Sequence, residues 1–558
     1  MRDKLIAKLK TPQGTAFISA LISGIAVHLF SMMNIIENGD TVVFMNGYGF
    51  GTTSGRWALE LLGNLVGRLC GNWRIPSVNG FMFVLYASIA AALVVSVLKL
   101  QKHISAVLSG ALLVVFPSAV VTLFYSFTSQ FYGFAILLAV LSAWVLVNPI
   151  PQYSNDKPAV TAHRPYIYIY ILRVTISCII TAVSLGIYQA YFPLTASLLV
   201  LSLIGDCLRG DESFTIILRR AFYYLVSLAL GMALYLIILN LFLANSSYQL
   251  TSYKGIDNIG HISLSTLPML LKMTRVAFVA LLHNNIYGLA PIHSINTVYK
   301  MLGLLSAVSI IIIYVFLFKH RKQKVFQTCL ILLLLSILCL IFPYSVGLIR
   351  IMCPFSENTY IPLDNIILDD IYTLMVYGYV VVGYVPLVII EALPKVCSKF
   401  FCAINTALRK CVMFTSAILV FLYAYCDEAN YTNTYYVTRQ MENYTTALVT
   451  QIRMTENFDT EKQWVFINYR FDPLLSNPWR TAPLYEGTLH YLQNAYSRLD
   501  WIGAYFAYDP PIATDEEVDA ILARKDIHGE IADMPVFPDY GSIKVIENMV
   551  VIKMGEID

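Results

Sequence analysis

Charge is scarce in this sequence. Only 13% of its 558 residues are Asp, Glu, Lys or Arg, while 57% are hydrophobic, and a soluble chain carries about 25% charged residues to clothe its surface. That shortage excludes a soluble globular protein and implies a polytopic membrane protein. A disulfide framework is also missing: of ten cysteines, Cys178, Cys329 and Cys339 lie inside apolar runs, and none follows Cys426. No small-residue cleavage site follows the first apolar run, which has the length of a span and is expected to remain as an anchor. Neither an internal repeat nor a low-complexity tract is present. His261, His283 and His293 lack zinc-site spacing and have no nearby cysteine pair. The apolar runs themselves are nearly empty of ionisable residues, His28 standing almost alone, which argues against ion-coupled transport.

What is present is a series of runs near the 20 apolar residues that a membrane helix needs. Eleven are read, at 14–36, 77–99, 104–124, 130–148, 167–187, 189–205, 221–244, 299–318, 325–347, 371–393 and 411–427, the fifth and sixth parted only by YQAYFP. The basic segments are MRDKLIAKLK at the start, KLQKH at 99–103, LRGDESFTIILRR at 208–220, KHRKQK at 319–324 and PKVCSKFFCAINTALRK at 394–410. If all eleven runs cross, these five fall on one side, which the bias of Lys and Arg makes cytoplasmic. The N-terminus is then inside and the C-terminal region outside.

Two domains are expected. Residues 1–427 form the transmembrane catalytic domain, with 28 Lys and Arg against 15 Asp and Glu; residues 428–558 hold 10 against 20 and form a small extracytoplasmic α/β domain. Within the latter, WVFINYRF at 464–471 and SIKVIENMVVIKM at 542–554 read as strands, and DEEVDAILARK at 515–525 as a helix capped by the preceding Thr-Asp. Among the outer segments, ALELLGNLVGRL at 58–69 and TLPMLLKMTRVAFVALL at 266–282 have helical apolar spacing and can lie along the membrane surface.

The segment after the first run, NGDTVVFMNGYGFGTTSGRW at 38–57, carries five glycines, one carboxylate and an Arg-Trp pair. Asp40, a few residues beyond the span, sits where partial desolvation raises basicity and a soluble hydroxyl still has access. Glu37 competes for the same role. Arg56 suits the phosphate of a lipid carrier, and Trp57 suits either the interface or a sugar face; against this, Arg and Trp flank membrane segments widely, and Glu60 is placed to pair with Arg56 across one helical turn. Tyr188 and Gln189, between two runs, can bond a headgroup or merely close a hairpin. Arg275 and Lys272 can hold a second phosphate or anchor their helix. Asp364, Asp369 and Asp370 read as a solvated acidic rim.

The loop ending in SGRW, the YQAYFPL hairpin, the TLMVY start of the tenth run and the MPVFPDYGSIKVIENMVVIKM ending together resemble the bacterial membrane glucosyltransferases related to the type-II serotype-converting O-antigen glucosyltransferases. The resemblance runs over essentially the whole chain and is similar in architecture to GT-C glycosyltransferases. It implies a polyprenyl-phosphate sugar donor, a surface-glycan acceptor and a site at the outer face of the bacterial inner membrane. Asp40 would be the base, with Glu37 as the alternative, and Arg56 and Arg275 donor-phosphate ligands; Trp57, Tyr188 and Gln189 would contact substrate. Membrane lipid is a partner and nucleic acid is not. No cofactor is expected, although the chemistry admits a divalent metal. A flippase or transporter for lipid-linked glycans is the rival from another class, lacking its expected charged spans.

Overall fold

A computed structural model describes residues 7–36, 38–71, 74–148, 163–210, 213–251, 256–257, 288–320, 372–394, 399–468, 497–506 and 509–557, with scattered positions between 268 and 343 and Tyr485. The chain divides into two compact units. One comprises Met1–Asn34 and Asn46–Glu428, the other Ile35–Met45 and Ala429–Asp558.

Among the described residues of the chain, ten helices are long and apolar enough to cross a membrane, beginning with Pro12–Met33 and ending with Lys399–Met454. They coincide with ten of the eleven expected runs; the remaining run, 325–347, lies largely outside the described residues. In the larger unit α1 (Pro12–Met33) packs against α4 (Pro76–Val97) and α5 (His103–Val115), α4 against α7 (Ser129–Val147), α7 against α8 (His163–Ile187), and α8 against α10 (Phe214–Ala244). Lipid supplies no hydrophobic drive between helices, so close approach through small residues takes its place. Gly24 abuts Val84, Gly133 the backbone of Phe83, and Gly231 the side chain of Thr181. Between α7, α8 and α10, Ser142 meets Ser177 and Thr181 at 2.8 and 2.7 Å, and Ser227 donates to Ser177.

The hairpin expected at 188–193 is present: α8 ends at Ile187, a 3-10 turn covers Gln189–Tyr191, and α9 (Phe192–Arg209) follows. Every residue of α9 from Pro193 to Leu208 is buried, as suits a helix apolar on all faces. Near its C-terminal end Asp206, one residue past the sixth run as read, is buried and accepts bonds from Lys99 (2.7 Å), Arg209 (3.1 Å) and Arg220 (3.0 Å). One carboxylate thus gathers the end of α9, the segment after α4 and the start of α10.

The smaller unit is built on the second part of Lys399–Met454, a helix of 56 residues that continues well beyond the run at 411–427. A three-stranded sheet of order β1-β3-β2 stands beside it in the chain: β1 (Gln463–Ile467) pairs parallel with β3 (Met549–Lys553), which pairs antiparallel with β2 (Ile543–Ile546). Alternation along β1 sends Trp464 and Phe466 into one core, with Met441, Leu448, Ile452 and Trp501, and sends Val465 and Ile467 into another, with Ile527, Ile531 and Met534. The helix Asp515–Leu522 has the capping box that Thr-Asp implied, Thr514 accepting from the Glu517 backbone and Glu517 from the Thr514 backbone.

Candidate functional site

The 38–57 loop is divided between the two units at residue 45. Its second part folds as a 3-10 turn, Thr52–Ser54, which Gly55 ends at φ +71° so that the chain can enter α3 (Trp57–Cys70). Arg56 occupies the N-cap position of that helix, its own N–H bonded to Gly51 O at 3.0 Å. The flanking carbonyls are tied to the membrane helices. Gln189 Nε2 donates to Ser54 O at 2.9 Å, and Tyr235 Oη donates to Gly55 O at 3.0 Å; Gln189 also donates to Tyr235 Oη at 3.1 Å.

The Arg56 guanidinium is held by aromatics. Nη1 donates to Tyr132 Oη at 3.1 Å, and the guanidinium carbon lies 4.9 Å from the centre of the Tyr188 ring. Tyr132 and Tyr188 are themselves stacked, 4.5 Å apart and 16° from parallel, so one ring pair supplies both an acceptor and a π-face. Edge contacts continue from Tyr188 to Tyr191 and on to Tyr377. This arrangement fixes the plane of the cation.

One expectation fails here. Glu60 does not pair with Arg56: its Oε2 accepts from Thr52 N at 2.8 Å and Thr52 Oγ1 at 2.5 Å, because the glycine at 51 leaves room for the carboxylate against the backbone of the turn. Trp57 is packed against its neighbours. Its ring is 6% exposed, stacks on Phe242 at 5.9 Å, and fills the space left by Gly186. Gln189 likewise spends its amide nitrogen on the loop. Tyr48 packs against α3 at Gly63, and burial, followed by the nearby Glu60 carboxylate, raises its phenol above the ordinary value.

Asp40 belongs to the smaller unit. It lies in the first turn of α2 (Gly39–Val43), whose start is capped by Asn38: Oδ1 accepts from Thr41 N at 2.9 Å and Thr41 Oγ1 at 2.8 Å. Val42, 2% exposed, joins the core of that unit with Trp501 and Ile502, while Asp40 itself is half-buried. Asn38 and Val42 therefore fix the turn on which the carboxylate rides. Glu37 lies outside the described residues. Arg275 is exposed and makes no hydrogen bond or ion pair with any described residue, and most of the 266–282 stretch around it lies outside them. Among the described residues no three His, Cys, Asp or Glu side chains converge as a metal site.

Sequence reasoning missed Tyr132 and Tyr235, which hold Arg56 and its loop, since each sits within a run read only as a span. The signal available was a tyrosine among aliphatic residues, a polar tip that needs a partner when buried. Asp427, fully buried at the C-terminal end of the eleventh run, was also passed over.

The chain matches no curated protein and no solved structure. The profile of the family described as glucosyl transferase GtrII matches residues 29–383, more than half of the chain. The match takes in Asp40, Arg56, Trp57, Tyr132, Tyr188 and Gln189, and stops short of the MPVFPDYGSI ending. With ten apolar helices among the described residues and this span matched, the chain is a multi-pass membrane glucosyltransferase and belongs to the glucosyl transferase GtrII family.

Proposed function

We propose that the protein moves a glucosyl group from a polyprenyl phosphate to a hydroxyl of a surface glycan, at the outer face of the bacterial inner membrane, on a GT-C-like scaffold with a cytoplasmic N-terminus. The observation that carries this reading is the Arg56 guanidinium, held in a fixed orientation by the Tyr132 hydroxyl and the face of Tyr188. A fixed planar cation at the start of a helix, where the dipole adds partial positive charge, suits a phosphate monoester or diester.

In the proposed reaction the acceptor oxygen attacks the anomeric carbon as the bond from that carbon to the phosphate oxygen breaks. Asp40 takes the acceptor proton, with Glu37 as the alternative base. Arg56 stabilises the charge that grows on the departing phosphate, and Arg275 would be a second cation for it. One displacement without a covalent intermediate inverts the anomeric centre. Tyr188 backs the guanidinium; Trp57 and Gln189 act by holding the loop rather than by touching the sugar.

The test is to incubate purified protein with a panel of polyprenyl-phosphate sugars and an acceptor glycan, and to measure released polyprenyl phosphate and the anomeric configuration of the product. Release with the glucosyl donor and an inverted product are expected; a retained configuration would remove the single displacement. Sidedness is tested separately. A cysteine introduced beside Asp500 should react with an impermeant thiol reagent in intact cells, and labelling only after lysis would place that unit inside.

A further inference from the structure

The smaller unit ends in a feature that the proposed reaction does not use. Within MPVFPDYGSI, Tyr540 is completely exposed, at 102% of its reference area, on a turn that is pinned from both sides. Before it, Phe537 is buried in the core, meets Tyr444 edge-on at 5.2 Å, and donates its N–H to Lys553 O at 2.8 Å. Asp539 N bonds to Val536 O at 3.0 Å. After it, Gly541 takes φ +91°, Ser542 N bonds to Asp539 O at 3.1 Å, and Lys553 N bonds to Ser542 O at 3.0 Å. The backbone is fixed while the ring is left bare.

A ring held bare on a fixed backbone gains free energy when a partner covers its apolar area. A bilayer and a saccharide are the two coverings open to a membrane glucosyltransferase, and they call for different surroundings. Aromatic residues that seat in a membrane surface come with other apolar side chains and with Lys or Arg. Here the exposed neighbours are Pro538 and Asp539. Among the described residues of the smaller unit the other exposed large hydrophobics are Ile35, Tyr436, Met454 and Leu499, each distant in sequence and none on this turn. A bare ring beside a carboxylate fits a sugar instead: the ring covers the C–H face and the carboxylate accepts from hydroxyls. The excess of acidic residues in 428–558 further favours a neutral saccharide over an anionic surface.

We propose that Tyr540 is a stacking platform for the acceptor glycan, with Asp539 beside it as a hydroxyl acceptor. The inference rests on the acceptor being a polysaccharide, and it assigns to the region beyond the family match a part in recognising it.

The full chain in lipid nanodiscs, without donor, is tested for binding to the surface polysaccharide of the source cell after mild acid has released it from its lipid. Wild type should bind. Tyr540→Ala should weaken binding about two- to tenfold, the worth of one stacked ring, while Tyr540→Phe and Tyr540→Trp bind like wild type and the thermal midpoint stays constant in all three. No binding by wild type would overturn this proposal together with the glycan acceptor of the proposed function. Binding by wild type with equal binding by Tyr540→Ala would overturn the platform alone, and equal weakening in Tyr540→Ala and Tyr540→Phe would rule out stacking as the contact.

Discussion

Asp40 and Arg56 stand on one loop and are held in opposite ways. Arg56 is enclosed by side chains from distant helices, Tyr132 on α7 and Tyr188 after α8, and its backbone neighbours are bonded to Gln189 and Tyr235. Asp40 has local support: a cap from Asn38 and the buried anchor Val42 two residues on. The difference has a physical logic. A guanidinium on a long side chain loses much rotamer entropy when fixed, and a rigid aromatic enclosure supplies that order before a ligand arrives. A carboxylate on a short side chain needs only its backbone placed. Substitutions in distant membrane helices should therefore disturb Arg56, whereas Asp40 should answer to its cap and to the core that holds Val42.

The largest expected effect breaks the comparison at its catalytic end. Asp40→Asn keeps size and hydrogen-bonding capacity but cannot take a proton, so turnover should fall about 10²- to 10⁴-fold with donor binding intact. Steady-state kinetics and donor titration separate the two. Normal turnover in Asp40→Asn with loss in Glu37→Gln would move the base to Glu37.

At the other end, Arg56→Ala should reduce donor use by one to two decades, since a charge-assisted hydrogen bond is worth roughly 1.5–3 kcal/mol. Arg56→Lys should lie between, because an ammonium lacks the planar fork that the tyrosine pair accepts. The structure adds a control: Glu60 bonds to Thr52 and not to Arg56, so Glu60→Ala should affect protein yield more than donor KM. If Glu60→Ala and Arg56→Ala were equally harmful to the donor KM, Arg56 would be scaffolding.

A smaller effect tests the enclosure itself. Tyr132→Phe removes the acceptor of the Nη1 bond and keeps the ring stacked on Tyr188. The lost bond, at about 0.5–1.5 kcal/mol net, predicts a two- to tenfold rise in donor KM with little change in kcat. A change in kcat alone would place Tyr132 elsewhere in the reaction.

How far the sequence foretold this is best seen within one helix. In Lys399–Met454 the apolar run at 411–427 was legible, yet the helix continues to residue 454 through a stretch too polar to register. Among its buried positions there, Tyr431, Thr434, Thr438, Met441, Thr445, Leu448 and Ile452 are spaced three and four apart as on any buried helix face. Three of the seven are threonines whose hydroxyls bond back to the carbonyls of residues 430, 434 and 441, so hydropathy hides a stripe that burial reveals. The site shows the same limit. Asp40 and Arg56 stood out because charge is rare here, while Tyr132 and Tyr235 were lost among aliphatic neighbours. An indole beside a membrane segment, as Trp57 is, looks the same in sequence whether it faces lipid, sugar or, as found, Phe242.

The smallest expected effect returns to the local support of Asp40. Asn38 Oδ1 receives both the backbone N–H and the hydroxyl of Thr41, and loss of such a cap typically costs about 0.5–2 kcal/mol. The cap stands at the start of a turn of only five residues, Gly39–Val43, so Asn38→Ala should let it fray and misplace the carboxylate. Val42 remains buried in the unit's core and keeps the segment attached, which limits the damage to a several-fold fall in kcat with the donor KM unchanged. Asn38→Ser restores a capping oxygen and should recover most of that rate. Were Ser and Ala equally impaired, the cap would not be what orients Asp40. Were donor KM to rise in either, the support of Asp40 could not be local, and the contrast with Arg56 would fall.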